Sequence, residues 1–287
     1  MTGASLHLET SHGLLHIFVA FWRKVAYHLK TAFLFTKSDV MTTLIPITIF
    51  AAVAAPLCSV WRIVHVMCWI WVHLLQFDVS NQTVFPEEDR RNKATRPLPA
   101  GRILMRNAVY LRWFLVPVCF MISSAYGIYA FYASILLVAL TVCHNELQGH
   151  RHWMSKSLLT AAGLVSFELG GTLVAGCCHS EVDNVGVLAI ILSAMILATT
   201  IHSQDFKDEE GDRLIGRQTL AIASPVVGRS IILVLLPIWS ISLCKIWHVD
   251  FACSLAFLAL SLIVGTRFML ATTVQADKMA YLLYNVS

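Results

Sequence analysis

The stretch 202–221, HSQDFKDEEGDRLIGRQTLA, sets Asp205, Asp208 and Asp212 directly behind an apolar run that begins near residue 184. Read as a helix, positions i, i+3 and i+7 share one face, so three carboxylates would stand together. Like charges at that spacing repel unless a cation lies between them. A solvated turn at the end of a membrane helix would also tolerate these acids. The rest of the chain decides between the two readings.

Of 287 residues, 57% are hydrophobic and 13% charged, and mean hydropathy is +0.69. Soluble domains average about 25% charged residues, so this is the composition of an integral membrane protein. The net charge is only +4, and nucleic acid is not an expected partner; the lipid bilayer is. Crossing the hydrocarbon core takes about 20 apolar residues. Runs of that kind fall at 40–61, 62–80, 103–122, 126–145, 157–176, 184–204, 229–247 and 251–270. These predict an all-α, multi-pass transmembrane bundle of eight spans over residues 40–287. A ninth apolar segment begins near Met279 but is too short, as written, to cross.

Residues 1–39 form a separate N-terminal segment. Its apolar patch is followed, not preceded, by Arg23, Lys24, His28 and Lys30. That order argues against a signal peptide and for an amphipathic helix lying in the membrane interface. The eight cysteines include no C-x-x-C pair, and Cys58, Cys68, Cys119, Cys143, Cys244 and Cys253 sit in apolar runs, where a thiol packs as a small hydrophobe. Adjacent Cys177 and Cys178 are read the same way, with oxidation in a lumen as the alternative.

Lys and Arg gather before span one and in the loops between spans two and three, four and five, and six and seven. Alternation puts all four on one side, which the positive-inside rule makes cytosolic; the endoplasmic reticulum is the expected membrane. Loop two–three reads SNQTVFPEEDRRNKATRPLPAGR, residues 80–102. Pro86 suits the first position of a new helix, so span two should end near Phe85 and a short acidic-headed helix should follow. Asn81 then closes span two, with Glu88 and Asp89 across the break. Lys93, Arg96 and Arg102 in this loop, and Lys207, Arg213 and Arg217 beside the aspartates, suit a polyanion. Mg²⁺ commonly joins one or two carboxylates to substrate phosphate. Two acidic loops backed by basic residues on one membrane side therefore point to a diphosphate held between metal ions.

The pairing of NQ…EED…RPLPAGR with DFKDEEGDRLIGRQTLA, each after an even-numbered span, resembles the UbiA superfamily of intramembrane prenyltransferases. The resemblance implies nine helices around a central cavity, a cytosolic cap, and two Asp-rich motifs that bind Mg²⁺ and an isoprenyl diphosphate. The first motif departs from the family pattern N-D-x-x-D-x-x-x-D: Asn81 and Asp89 match its ends, while Gln82 and Phe85 replace inner aspartates. That degenerate form, with PEEDRRNK and CHNELQGHRHW, is similar to fungal UbiA-type terpene cyclases. Carried over by position, Asn81, Asp89, Asp205, Asp208 and Asp212 become the metal set, with Glu88 as a substitute ligand. The implied activity is cyclisation of farnesyl or geranylgeranyl diphosphate. Prenyl transfer to an aromatic acceptor is the alternative, and ion-coupled transport is a rival of a different class.

Two charges lie deep in predicted spans. Arg112 falls about ten residues into span three, and Glu168 at similar depth in span five. Ionisable groups at such depth usually face the bundle interior and default to a functional expectation. Glu168 is expected to stabilise a carbocation or accept the terminating proton. Arg112 is expected to reach the diphosphate or neutralise Glu168; a mutual structural pair is the bland reading. Trp69, Trp71, Trp113, Phe114, Tyr126, Tyr129, Phe131 and Tyr132 are candidate cation–π faces or interfacial anchors. His144, Glu146, His150 and His152 match no zinc spacing and are read as hydrogen-bonding residues.

Overall fold

A long helix, α1 (Gly3–Thr36), leads into a short 3₁₀ turn and a single π turn, Val40–Leu44, before α2 (Ile45–Ala54). Pro46 has no N–H to return to the carbonyl of Thr42, and the widened turn absorbs that missing bond. In this computed structural model, residues 3–57, 59–177 and 181–285 are described, with side chains from His16 onward. Cys58 and Cys178 lie outside them. The first span therefore closes at Ala54, short of the predicted 61, because Ala55 turns extended (φ −107°, ψ 145°) ahead of Pro56, as a residue before proline prefers.

The chain continues through α3 (Trp61–Val84), α4 (Pro86–Asn92), α5 (Met105–Ser124), α6 (Ile128–Asn145), α7 (Trp153–Ala175) and α8 (Asn184–Thr200). A 3₁₀ segment, Ile201–Asp208, then gives way to α9 (Glu209–Leu214), α10 (Leu220–Ala223), α11 (Pro225–Ile246), α12 (Phe251–Leu270) and α13 (Val274–Tyr284). Eight helical runs are long and apolar enough to cross a membrane. Among the described residues there is no β-sheet, only isolated bridges.

The bundle is organised around α7, which packs against α2, α3, α6 and α8. Its inner face meets Trp69, Ile70, Ala51 and Leu74 in one buried apolar cluster. A second cluster joins Phe206, Ile232, Val264, Phe268 and Tyr281, locking α11, α12 and α13 around the 3₁₀ segment. Large apolar side chains such as Val53, Phe114, Met121 and Phe251 are left exposed. A water-soluble protein would not show so much apolar surface; a lipid-facing bundle does.

The C-terminal helix α13, Val274–Tyr284, is shorter than the eight membrane-length runs. It docks on the 3₁₀ segment. Arg229 of α11 clamps Asp277 of α13 with two 2.8 Å hydrogen bonds and donates to the Phe268 carbonyl at 2.5 Å. Its guanidinium also lies 4.1 Å from the Phe206 ring centroid. Cys177, read from sequence as inert, is disulfide-bonded.

Candidate active site

The acidic loops meet at one end of the bundle, as the sequence predicted. Span two ends at Val84, and Pro86 opens α4 with Glu87, Glu88 and Asp89 in its first turn, where the helix dipole favours acids. The chain returns at Gly101, whose φ of +66° suits a residue without Cβ. Asn92 donates to the Asp208 carbonyl at 3.3 Å, and Arg91 pairs with Glu210 at 3.0 Å. A Cβ on Gly211 would collide with the Asn92 side chain, so the Asn92 amide reaches the Asp208 carbonyl across α9 through the space this glycine leaves. Gln218 also donates from its backbone to the Arg151 carbonyl at 2.7 Å, tying the α6–α7 loop to the same end.

Asp205, Asp208 and Asp212 do not lie on one α-helical face. The first two belong to the 3₁₀ segment, where residues three apart eclipse, and Asp212 follows in α9. Buried Phe206 anchors this tighter winding between Phe268 and Arg229. The three acids have separate partners. Lys156 of α7 stands 2.7 Å from Asp205 and 3.0 Å from Asp212, with all three side chains buried. Asp208 is paired with Lys207 at 2.7 Å and lines a cavity of about 430 Å³.

The cavity has a charged mouth and an apolar floor. Of the six predicted metal ligands, Asn81, Glu88 and Asp208 line it; Asp89, Asp205 and Asp212 stand behind, held by cations. Arg217 joins the two motifs, 2.9 Å from Glu88 and 2.6 Å from Asp212. Arg96 gathers Asp89 at 2.9 Å, Asp39 at 3.3 Å and Asp78 at 3.9 Å. Burial pushes the carboxyls of Glu88 and Asp89 above their ordinary range, opposed by Arg217 and Arg96 respectively. Burial disfavours the Arg96 charge, but Asp89, Asp39 and Asp78 outweigh it and hold the guanidinium above its ordinary range.

Among the predicted anion-binding residues, Lys93, Arg96 and Lys207 line the cavity. Arg102 and Arg213 do not. Arg102 packs on Tyr27 of α1 and donates to Thr31, while Arg213 is an exposed partner of Glu209. The sequence reading missed Asp39, Asp78, Lys156 and Lys278 as site residues; all four line the cavity, as does Arg217. Asp78 carries a legible signal, being the sole acid in the span 62–80. The floor is Leu74, Phe77, Leu137, Leu140, Leu164 and Phe167. None of the eight aromatics singled out from sequence lines it.

Arg112 is not a cavity residue. Its guanidinium pairs with Glu146 and donates to Thr83 at 3.1 Å, so it neutralises a loop acid rather than Glu168. Because α5 starts at Met105, Arg112 is only about 10 Å into the helix by its rise, within reach of that loop. Glu168 lines a second, smaller chamber. In the histidine-rich loop, His144 lines the main cavity and bonds Asn145 at 2.9 Å. Asn145 in turn accepts from Asn81 at 3.4 Å. His150 contacts the His144 carbonyl at 2.6 Å, and burial pulls its pKa down to about 4.

Among the described residues, no group of three or more His, Cys, Asp or Glu side chains is gathered to hold a metal ion. The donors at the mouth are nevertheless oxygens, the chemistry that hard divalent cations take. Asp78 Oδ2 is buried without a hydrogen-bond partner, so the donor set fits a hard divalent cation.

Residues 43–286 match the UbiA prenyltransferase family. The chain belongs to that family. It is 32% identical over 259 residues to the fumagillin beta-trans-bergamotene synthase of Aspergillus fumigatus, covering 89% of this chain and 88% of that protein. It is 26% identical over 269 residues to the diterpene cyclase eriG of Hericium erinaceus, covering 91% and 85%. Its fold matches a UbiA homolog from Archaeoglobus fulgidus bound to GPP and Mg²⁺ with TM-score 0.68 at 14% identity, over 89% of this chain and 98% of that one. The protein is a multi-pass integral membrane member of this enzyme family.

Proposed function

We propose that this UbiA-family protein is a Mg²⁺-dependent terpene cyclase acting on a linear isoprenyl diphosphate, farnesyl or geranylgeranyl. One observation carries the reading: a cavity whose rim combines acids and ammonium or guanidinium groups opens onto an apolar floor. Lys93, Lys207, Lys278 and Arg217 bind the diphosphate oxygens and stabilise the negative charge that grows as the C–O bond breaks. Asn81, Glu88 and Asp208 are the residues that hold Mg²⁺, with Asp78 and Asp39 beside them. The bound ion supplies Lewis-acid stabilisation to the leaving diphosphate.

Lys156 and Arg96 have a different task. They neutralise the acids behind the rim and so fix its shape. The apolar floor holds the hydrocarbon and keeps water from the cation. Phe77 and Phe167 are the aromatic side chains of that floor, the residue type that stabilises a cation by cation–π contact.

The membrane topology follows the same reading. The basic loops and both acidic motifs face the cytosol, with the endoplasmic reticulum as the membrane. The disulfide at Cys177, at the far end of α7, accords with an oxidising lumen. The N-terminal helix from His16 onward lies in the interface, with Phe18, Phe21 and Trp22 exposed on it.

The test is to incubate membranes with each diphosphate separately, with Mg²⁺ and then with EDTA, and to analyse volatile products. Cyclic hydrocarbon from one chain length, lost with EDTA, is expected. Intact diphosphate that is consumed only when an aromatic acceptor is added would make the protein a transferase instead.

A further inference from the structure

Beneath the mouth lies a second chamber of about 200 Å³, bounded by α2, α7, α8, α11, α12 and the end of α13. Thr42 and Leu164 line both this chamber and the main cavity. The two spaces adjoin, with those side chains in the partition. On α7, Lys156, Thr160 and Leu164 line the main cavity, and Glu168, one turn further, lines the second chamber. These positions share a helix face, and Glu168 lies about 18 Å along the axis from Lys156 at the helical rise.

The state of this carboxylate is unusual. Glu168 is 7% exposed. Ser193 of α8 donates to its Oε1 at 2.7 Å, while Oε2 is buried without a hydrogen-bond partner. Leaving such an oxygen unsatisfied costs stability, and Arg112 does not compensate it, being committed to Glu146. The surrounding wall includes Ile47, Ile196, Leu236 and Phe257. Among the described residues, Glu168 is the only carboxylate that lines this largely apolar chamber, and its Oε2 is an unsatisfied acceptor next to a cavity that forms a cation.

We propose that Glu168 is the base that ends the reaction, reached when the far end of the hydrocarbon passes the Thr42–Leu164 neck. The inference rests on the cyclase reading. The diphosphate has already left at the mouth with the electron pair of the C–O bond. Glu168 Oε2 takes a proton from a carbon next to the cationic centre. The C–H electron pair becomes the π bond of a new alkene and fills the empty orbital. The substrate has then lost diphosphate and one proton, and the carboxylic acid returns its proton to water after the hydrocarbon departs. Ser193 positions the carboxylate by holding Oε1. The departing diphosphate, itself a possible base, stays at the mouth one cavity away.

The experiment measures pyrophosphate release and the volatile profile in parallel, on purified wild type and on Glu168→Gln, Ser193→Ala and Leu164→Phe. General-base removal typically loses 10²–10⁴-fold. Glu168→Gln should release pyrophosphate at close to the wild-type rate while its main hydrocarbon falls by roughly 100-fold per pyrophosphate, replaced by other olefins or alcohols. Leu164→Phe, which leaves the carboxylate intact and narrows the neck, should shift the profile the same way. A wild-type profile from folded Glu168→Gln would overturn the proposal, as would parallel loss of pyrophosphate release and hydrocarbon. Should Glu168→Gln fail to fold, unchanged profiles from both Ser193→Ala and Leu164→Phe would overturn it. A wild type that releases no pyrophosphate from any isoprenyl diphosphate would instead defeat the cyclase reading, and this inference with it.

Discussion

Replacing Lys156 with methionine keeps an unbranched side chain one atom shorter and removes its charge. The Lys156 ammonium stands 2.7 Å from Asp205 and 3.0 Å from Asp212, and side-chain exposures are 9%, 1% and 0%. Without it, Asp205 has no cation against it among the described residues, while Asp212 retains Arg217 at 2.6 Å. Breaking a buried ion pair by removing one partner costs about 3–5 kcal/mol. At about 2–4 °C per kcal/mol, the melting temperature in detergent should fall by roughly 6–20 °C. The argument is electrostatic, so Lys156→Met/Asp205→Asn should recover most of the loss. Mg²⁺ should raise the melting temperature of Lys156→Met more than that of wild type, since a cation that binds only the folded state stabilises it. Thermal unfolding followed by intrinsic fluorescence, with and without Mg²⁺, reads all three. A Lys156→Met protein melting within about 2 °C of wild type, less than 1 kcal/mol would produce, would refute the reasoning, as would a double variant no more stable than the single one.

Asp208→Ala should abolish product formation while leaving membrane insertion intact, because this acid lines the cavity; gas chromatography of products beside a membrane-fraction immunoblot checks it. Arg213→Ala should leave turnover close to wild type, since its pairing with Glu209 is exposed and such pairs contribute about 0.2–1 kcal/mol. Arg229→Met should lower the melting temperature strongly by stranding Asp277, and Arg229→Met/Asp277→Leu should regain much of it, as buried pairs replaced by apolar residues often do.

The architecture was largely legible because its cause is one-dimensional. A bilayer demands apolar runs of set length, and seven of the eight membrane-length runs fall where such runs were read, with shifts at the ends; the first, His16–Ala54, begins well before the predicted residue 40 and takes in much of the segment read as interfacial. Proline chemistry located the α3–α4 break correctly at Phe85 and Pro86. It also ended the first span early at Pro56, a break the run length concealed. The gathering of the two acidic loops was readable from charge and alternation alone.

Side-chain partnership was not. Spacing placed Asp205, Asp208 and Asp212 together, but Lys156, 49 positions before Asp205 in the sequence, decides that two of them are neutralised behind the rim. A pairing of Arg112 with Glu168 was one of the readings left open, because both are charges in apolar runs. The choice of Glu146 as the Arg112 partner depends on how α5, α6 and α3 converge, which no local pattern encodes. Asp39 and Asp78 were overlooked for a similar reason: each is a single acid at a span end until Arg96 draws them together.

The central claim is that one isoprenyl diphosphate alone suffices as substrate. The most direct measurement is the yield of pyrophosphate and of cyclic hydrocarbon from purified protein given farnesyl or geranylgeranyl diphosphate, Mg²⁺ and no acceptor. Equal molar amounts of the two products, both absent with Asp208→Ala, are the expected result. Diphosphate left intact until an aromatic acceptor is supplied, with the prenyl group then recovered on that acceptor, would contradict the account.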